Sequence, residues 1–141
     1  MCVLGDELLV AGSSGTIPKT FEQLTNLQVF LMRCNKLSGP LIDFSPLKKL
    51  KNVWFDTQNL TGTLESLGTL QNLTFLQASN NELSGPVPPS LCRLGGHCYG
   101  GGNPNFTCPL PKPGCCMVDT CGKAPTPPDL VVSSMGECYP Q

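Results

Sequence analysis

Residues 27–41 read LQVFLMRCNKLSGPL, residues 50–64 read LKNVWFDTQNLTGTL, and residues 73–87 read LTFLQASNNELSGPV. The same phrase returns at offsets of 23 (27 to 50) and 23 (50 to 73). Leu27, Phe30, Met32, Asn35 and Leu37 open the first copy in L-x-x-L-x-L-x-x-N-x-L spacing. Leu50, Val53, Phe55, Gln58 and Leu60 open the second, and Leu73, Leu76, Ala78, Asn81 and Leu83 the third. A self-similar period of about 20–50 residues means stacked units, each too small to bury its apolar face alone. Within each copy the apolar residues alternate, as a strand requires, and do not follow the 3.6-residue period of a helix.

Each copy continues into L-[ST]-G-x-[ILV], as Leu37-Ser38-Gly39-Pro40-Leu41, Leu60-Thr61-Gly62-Thr63-Leu64 and Leu83-Ser84-Gly85-Pro86-Val87. Gly15-Thr16-Ile17-Pro18 fits the end of the same phrase. Over residues 8 to 94 the chain resembles the plant-type leucine-rich repeat, L-x-x-L-x-x-L-x-L-x-x-N-x-L-x-G-x-I-P, of extracellular receptor ectodomains and polygalacturonase-inhibitor-like proteins. It departs from that pattern at Gln58, which replaces the ladder asparagine, and at Ile42 and Glu65, which replace the proline. The resemblance implies an α/β-type repeat: a leucine-rich repeat solenoid with short parallel concave strands, an irregular convex side and a disulfide-rich C-terminal cap. It is specific for the fold and weak for the function, which the site itself must carry.

Four segments are expected. Residues 1–23 read as a partial N-terminal repeat, the tail of a broken unit, with Leu8, Leu9 and Val10 suited to a strand. Residues 24–94 hold the three repeats. Residues 95–122 read as the Cys-rich cap, where Gly95-Gly96 and Gly100-Gly101-Gly102 are expected to break the repeat. Residues 123–141, opening with Ala124-Pro125-Thr126-Pro127-Pro128, read as a Pro-rich linker and tail. Asn35 and Asn81 are expected to satisfy the backbone of the bend after each strand, with the Gln58 rung looser. Phe21, Leu67 and Leu91 are expected to fill the convex side.

Composition limits the chemistry. The 141 residues carry a net charge of -1, with 13% charged side chains. That balance excludes the clustered basic face of a nucleic-acid binder, and Lys48, Lys49 and Lys51 suit a solvated turn. The longest apolar runs fall short of the ~18 residues a membrane span needs, so no membrane span is expected. Nine cysteines, seven of them between Cys92 and Cys138, point to disulfides made in an oxidising compartment. The candidates are Cys92, Cys98, Cys108, Cys115, Cys116, Cys121 and Cys138, while the odd number leaves a thiol over, with Cys34 as its candidate. Three N-x-[ST] sequons, at Asn59, Asn72 and Asn105, agree with a secretory route. Met1-Cys2-Val3-Leu4 has neither a basic start nor a long apolar run, so no signal peptide is present in this sequence and a fragment or a displaced gene start is expected. The localisation expected is extracellular or cell-surface.

No catalytic constellation stands out. The cysteine spacings C-x5-C, C-x9-C, C-x6-C and C-C-x4-C miss the C-x-x-C pairs of structural zinc, and His97 is the single histidine. His97-Cys98 are neighbours in sequence, which does not orient a nucleophile toward a base. No metal, cofactor or enzymatic activity is expected.

The concave columns carry the functional expectation. Parallel strands set equivalent residues side by side, about 4.8 Å apart. One column is Val29, Asn52 and Phe75; the next Leu31, Trp54 and Gln77; the third Arg33, Asp56 and Ser79. These nine residues are the candidate ligand-binding face. Val29, Leu31, Trp54 and Phe75 form an apolar patch that is either an interaction site or a shield over the sheet. Arg33 and Asp56 are placed to pair as a surface ion pair worth about 0–1 kcal/mol. The function expected is an extracellular recognition module binding a protein, peptide or glycan ligand. The alternative is a structural C-terminal part of a larger receptor with no ligand of its own.

Overall fold

Alternation of apolar and polar residues makes each L-x-L core a strand with one face buried, and 23-residue offsets stack those strands. The computed structural model describes residues 2–33, 35–107 and 115–116. Cys34, Cys108, Cys121, Cys138 and the linker and tail fall outside the described residues.

The chain makes β1 (Cys2–Leu4), β2 (Glu7–Leu9), β3 (Ser14–Gly15), β4 (Val29–Leu31), β5 (Lys36–Pro40), β6 (Asn52–Trp54), β7 (Asn59–Gly62), β8 (Phe75–Gln77), β9 (Glu82–Pro86), β10 (Cys98–Tyr99) and β11 (Asn105–Thr107). They build two sheets. The concave one runs β1-β2-β4-β6-β8-β10, the second β11-β9-β7-β5-β3. All pairings are parallel except β1 with β2, which is antiparallel. The second sheet was not legible as such. It is built from the L-[ST]-G phrase, whose glycines adopt positive φ: 79° at Gly39, 100° at Gly62 and 78° at Gly85. At Gly85 a side chain is excluded twice over, since a Cβ would also meet Thr63 Cγ2 of the preceding rung at 3.2 Å.

The core lies between the sheets and the convex turns. Phe30, Val53 and Leu76 of the concave strands, and Leu60 and Leu83 of the second sheet, are fully buried. Each such side chain contributes about 1.5–3 kcal/mol by leaving water. On the convex side Phe21, Phe44, Leu67 and Leu91 are buried in turn. Phe44, absent from the expected set, packs edge-on to Phe30 at 5.3 Å and stacks on Phe55 at 6.2 Å. The convex segments are short: 3-10 turns at Lys19–Gln23 and Pro89–His97, and one helical turn, α1, at Glu65–Gly68.

A ladder of side-chain amides ties the rungs. Asn81 Oδ1 accepts from the Leu60 N–H at 3.1 Å, and its Nδ2 donates to Phe55, Ala78 and Ser79 carbonyls. Asn35 repeats this with the Ser13 N–H and the Val10, Met32 and Arg33 carbonyls. Gln58 holds the rung before it, accepting from Leu37 N–H at 3.0 Å and donating to the Met32 carbonyl. Among the described residues it makes neither bond to its own bend, because the extra methylene carries its amide past Phe55 and Asp56. The Gln58 rung therefore has half the ladder.

The chain past Leu94 departs from the expected break. β10 pairs with β8 and β11 with β9, so both sheets continue. Asn103 is a further ladder amide: it accepts from Leu83 N–H at 3.0 Å and donates to the Ala78, Gly100 and Gly101 carbonyls. Gly102 is what the bend needs here, at φ 71° and with a Cβ position only 2.2 Å from Asn80 Oδ1. Two disulfides, Cys92–Cys115 and Cys98–Cys116, clamp this rung. At the other end, Leu8 pairs with Phe30 and Ser14 with Lys36, so residues 7–15 supply a strand to each sheet. β1 folds back over the edge of β2.

Candidate functional site

Strand pairing fixes which side chains share the concave face. Val29 lies beside Asn52 and Asn52 beside Phe75; Leu31 lies beside Trp54 and Trp54 beside Gln77. The two columns are those expected from the repeat spacing. Their neighbours extend them. Glu7 pairs with Val29 and Leu9 with Leu31 at one end, and Tyr99 pairs with Gln77 at the other.

Val29, Leu31, Asn52, Trp54, Phe75 and Gln77 are half-buried, as alternation leaves them between buried Phe30, Val53 and Leu76. Leu9 is 48% exposed, the most exposed large apolar residue described. The Trp54 and Phe75 rings meet at 4.7 Å, and Phe75 lies 5.7 Å from Tyr99 and 6.3 Å from His97. An aromatic row thus crosses the last three concave strands, and Leu31 and Leu9 continue it as an aliphatic strip. Tyr99, His97, Leu9 and Glu7 were not among the expected residues. Their signal was position alone, at offsets of 22 from Gln77, Phe75, Leu31 and Val29, with cysteine and glycine where the pattern has leucine.

The third column is polar. Arg33 Nε donates to Asp56 Oδ1 at 2.9 Å. Asp56 is buried and Arg33 half-buried, which corrects the surface pair expected here. Removing water from the carboxylate makes the loss of its partner costlier than at the surface. Ser79 Oγ donates to Gln77 Oε1 at 3.1 Å, and Asn52 Oδ1 lies 3.2 Å from the Thr74 hydroxyl, which the Lys51 carbonyl shares at 3.1 Å, so the polar residues of the face hold one another in place.

The other predicted residues lie elsewhere. Asn59, Asn72 and Asn105 are exposed, Asn59 on β7, Asn105 on β11, and Asn72 in the turn before β8. Cys98 spends its thiol on Cys116, which removes the thiolate that a His97–Cys98 pair would need. Among the described residues no group of three His, Cys, Asp or Glu side chains is placed to hold a metal ion, and no helix is long and apolar enough to cross a membrane. Asp43, on the convex side, has its carboxyl held below the ordinary range by hydrogen bonds from the Ser45 hydroxyl and backbone N–H.

No family model matches the chain. A 48-residue stretch is 42% identical to a probable LRR receptor-like serine/threonine-protein kinase of Arabidopsis thaliana, covering 34% of this chain and 5% of that protein. The chain therefore spans a small part of that relative's length. The LRR ectodomain of the receptor kinase SOBIR1 from Arabidopsis thaliana superposes with a TM-score of 0.65 at 26% identity, over 72% of this chain and 58% of that one. The Arabidopsis receptor kinase HAESA, solved in complex with the peptide hormone IDA and the co-receptor SERK1, superposes with a TM-score of 0.60 at 28% identity, over 72% of this chain and 18% of that one. The kinase in these names belongs to much longer proteins; the matched structures are repeat ectodomains.

Proposed function

We propose that this chain is a plant extracellular leucine-rich repeat module whose concave sheet binds an extended peptide segment. The observation that carries the reading is the aromatic row Trp54–Phe75–Tyr99 continued by Leu31 and Leu9. Such a strip offers a series of apolar seats across successive strands. Trp and Tyr bring large contact area with little rotamer freedom to lose, the usual composition of binding hot spots. Beside the strip, Asn52, Gln77 and Ser79 supply donors and acceptors for a peptide backbone. HAESA, whose structure holds a peptide hormone, supports the choice of ligand class. The disulfides support an extracellular or cell-surface setting.

The test is a panel of labelled secreted peptides titrated against the purified chain, with Trp54→Ala as the control. A binder whose affinity falls about tenfold or more in Trp54→Ala supports the reading, on the hot-spot scale. A binder indifferent to Trp54→Ala removes the concave face from consideration. A chain that binds no peptide while folding normally favours a purely structural role in a larger receptor.

A further inference from the structure

The three sequons are not equivalent in the fold. In β7, Asn59 and Thr61 are both exposed and flank the buried Leu60. In β11, Asn105 and Thr107 are both exposed and flank the buried Phe106. Strand alternation therefore turns both asparagines, each with its threonine, to the outer face of the second sheet. β9 alone separates the two strands, and its register, with Thr61 opposite Glu82 and Asn105 opposite Ser84, also offsets the two asparagines along the sheet. Neither makes a side-chain hydrogen bond among the described residues. Asn72 differs: its Nδ2 donates to the Lys48 carbonyl at 2.8 Å, and Thr74 Oγ1 donates to the Lys51 carbonyl at 3.1 Å. Both polar groups of that sequon already join one rung to the next.

We infer that Asn59 and Asn105 carry N-linked glycans that shield the outer face and last strand of the second sheet, and that Asn72 is left bare. The donor class is a polyprenyl-diphosphate-linked oligosaccharide. The asparagine Nδ2 bonds to the anomeric carbon, the bond from that carbon to the diphosphate oxygen breaks, the polyprenyl diphosphate leaves, and the amide gives up one proton. The shielding has a physical motive. β11 ends the second sheet among the described residues, and an end strand invites pairing with another chain unless something blunts it. A glycan on Asn105 projects far past one strand spacing. The concave face carries no sequon and stays open, with both glycans on the other sheet.

The experiment expresses the full chain behind a secretion leader in plant cells and maps its glycopeptides by mass spectrometry. Peptides bearing Asn59 and Asn105 are expected in glycosylated form, and the Asn72 peptide without glycan. Thr61→Ala/Thr107→Ala keeps both asparagines and deletes both sequons. It is expected to keep the circular dichroism of the parent and to self-associate in light scattering at concentrations where the parent is monodisperse; the same is expected of Asn59→Gln/Asn105→Gln. An unmodified Asn59 or Asn105, or an Asn72 occupied as fully as they are, overturns the assignment. Two folded, glycan-free variants that stay as monodisperse as the parent overturn the shielding.

Discussion

Thr57 occupies the left-handed bend, at φ 59°, that Asn80 occupies at φ 56° one rung later. Gly12 and Gly102 stand at the same position of the outer rungs, at φ 64° and 71°. Glycine suffers no penalty in this conformation and asparagine a small one, whereas a β-branched residue is strained. Thr57 is the misfit of the series. Its side chain is exposed, so replacing it removes no packing.

Thr57→Asn should therefore stabilise the chain by about 0.5–1 kcal/mol, the scale of relieving an unfavourable backbone conformation. Urea denaturation checks it. A midpoint that moves down would mean that the bend tolerates threonine for a reason other than its backbone.

The ladder gives a paired prediction. Asn81→Leu strands the Leu60 N–H and the Phe55 and Ser79 carbonyls, so it should cost about 3 kcal/mol or more. Gln58→Asn should be neutral or stabilising by up to about 1 kcal/mol, since the shorter amide can reach the carbonyls of its own bend. Equal destabilisation by the two substitutions would show that amide length does not set the ladder.

Tyr99→Ala is the sharper test of the site, because repeat spacing in the leucine positions did not point to it. It should weaken a Trp54-dependent peptide by about 1–2 kcal/mol while leaving the melting curve nearly unchanged. A ligand that loses affinity on Trp54→Ala but ignores Tyr99→Ala would confine the site to the middle rungs. Calorimetric titration against both variants separates these outcomes.

Cys92→Ser/Cys115→Ser opens a cross-link spanning a sequence separation of 23. Loop-closure entropy puts the loss at about 3 kcal/mol. A solenoid transmits stability only between neighbours, so the loss should fall on the last rungs first. Hydrogen exchange should then quicken at Leu83 and Phe106 before Phe30. Uniform quickening along the chain would contradict a stack of nearest-neighbour units.

The three repeats, the register of the concave columns and the ladder asparagines were all legible, because burial enforces leucine at fixed positions. The outer rungs were harder to see. Leu94-Gly95-Gly96-His97-Cys98 keeps the fold without keeping the leucines, since disulfides there replace apolar contacts as the restraint. Asn103 sits 22 residues past Asn81, and one missing residue was enough to hide it among glycines. The burial of Asp56 was not legible either. Sequence placed it beside Arg33 but said nothing of the depth of the bend, which the turn at Thr57 sets.

The Cys98–Cys116 bond ends one residue before Tyr99. A ring on a fraying terminal strand would have to be immobilised by whatever it bound, at about 1 kcal/mol for one ordered side chain. Cross-linked at the adjacent residue, Tyr99 is pre-organised, and that entropy is spent when the disulfide forms rather than when a partner arrives. If the concave face binds as proposed, its affinity becomes coupled to thiol redox chemistry on a residue that faces the opposite way.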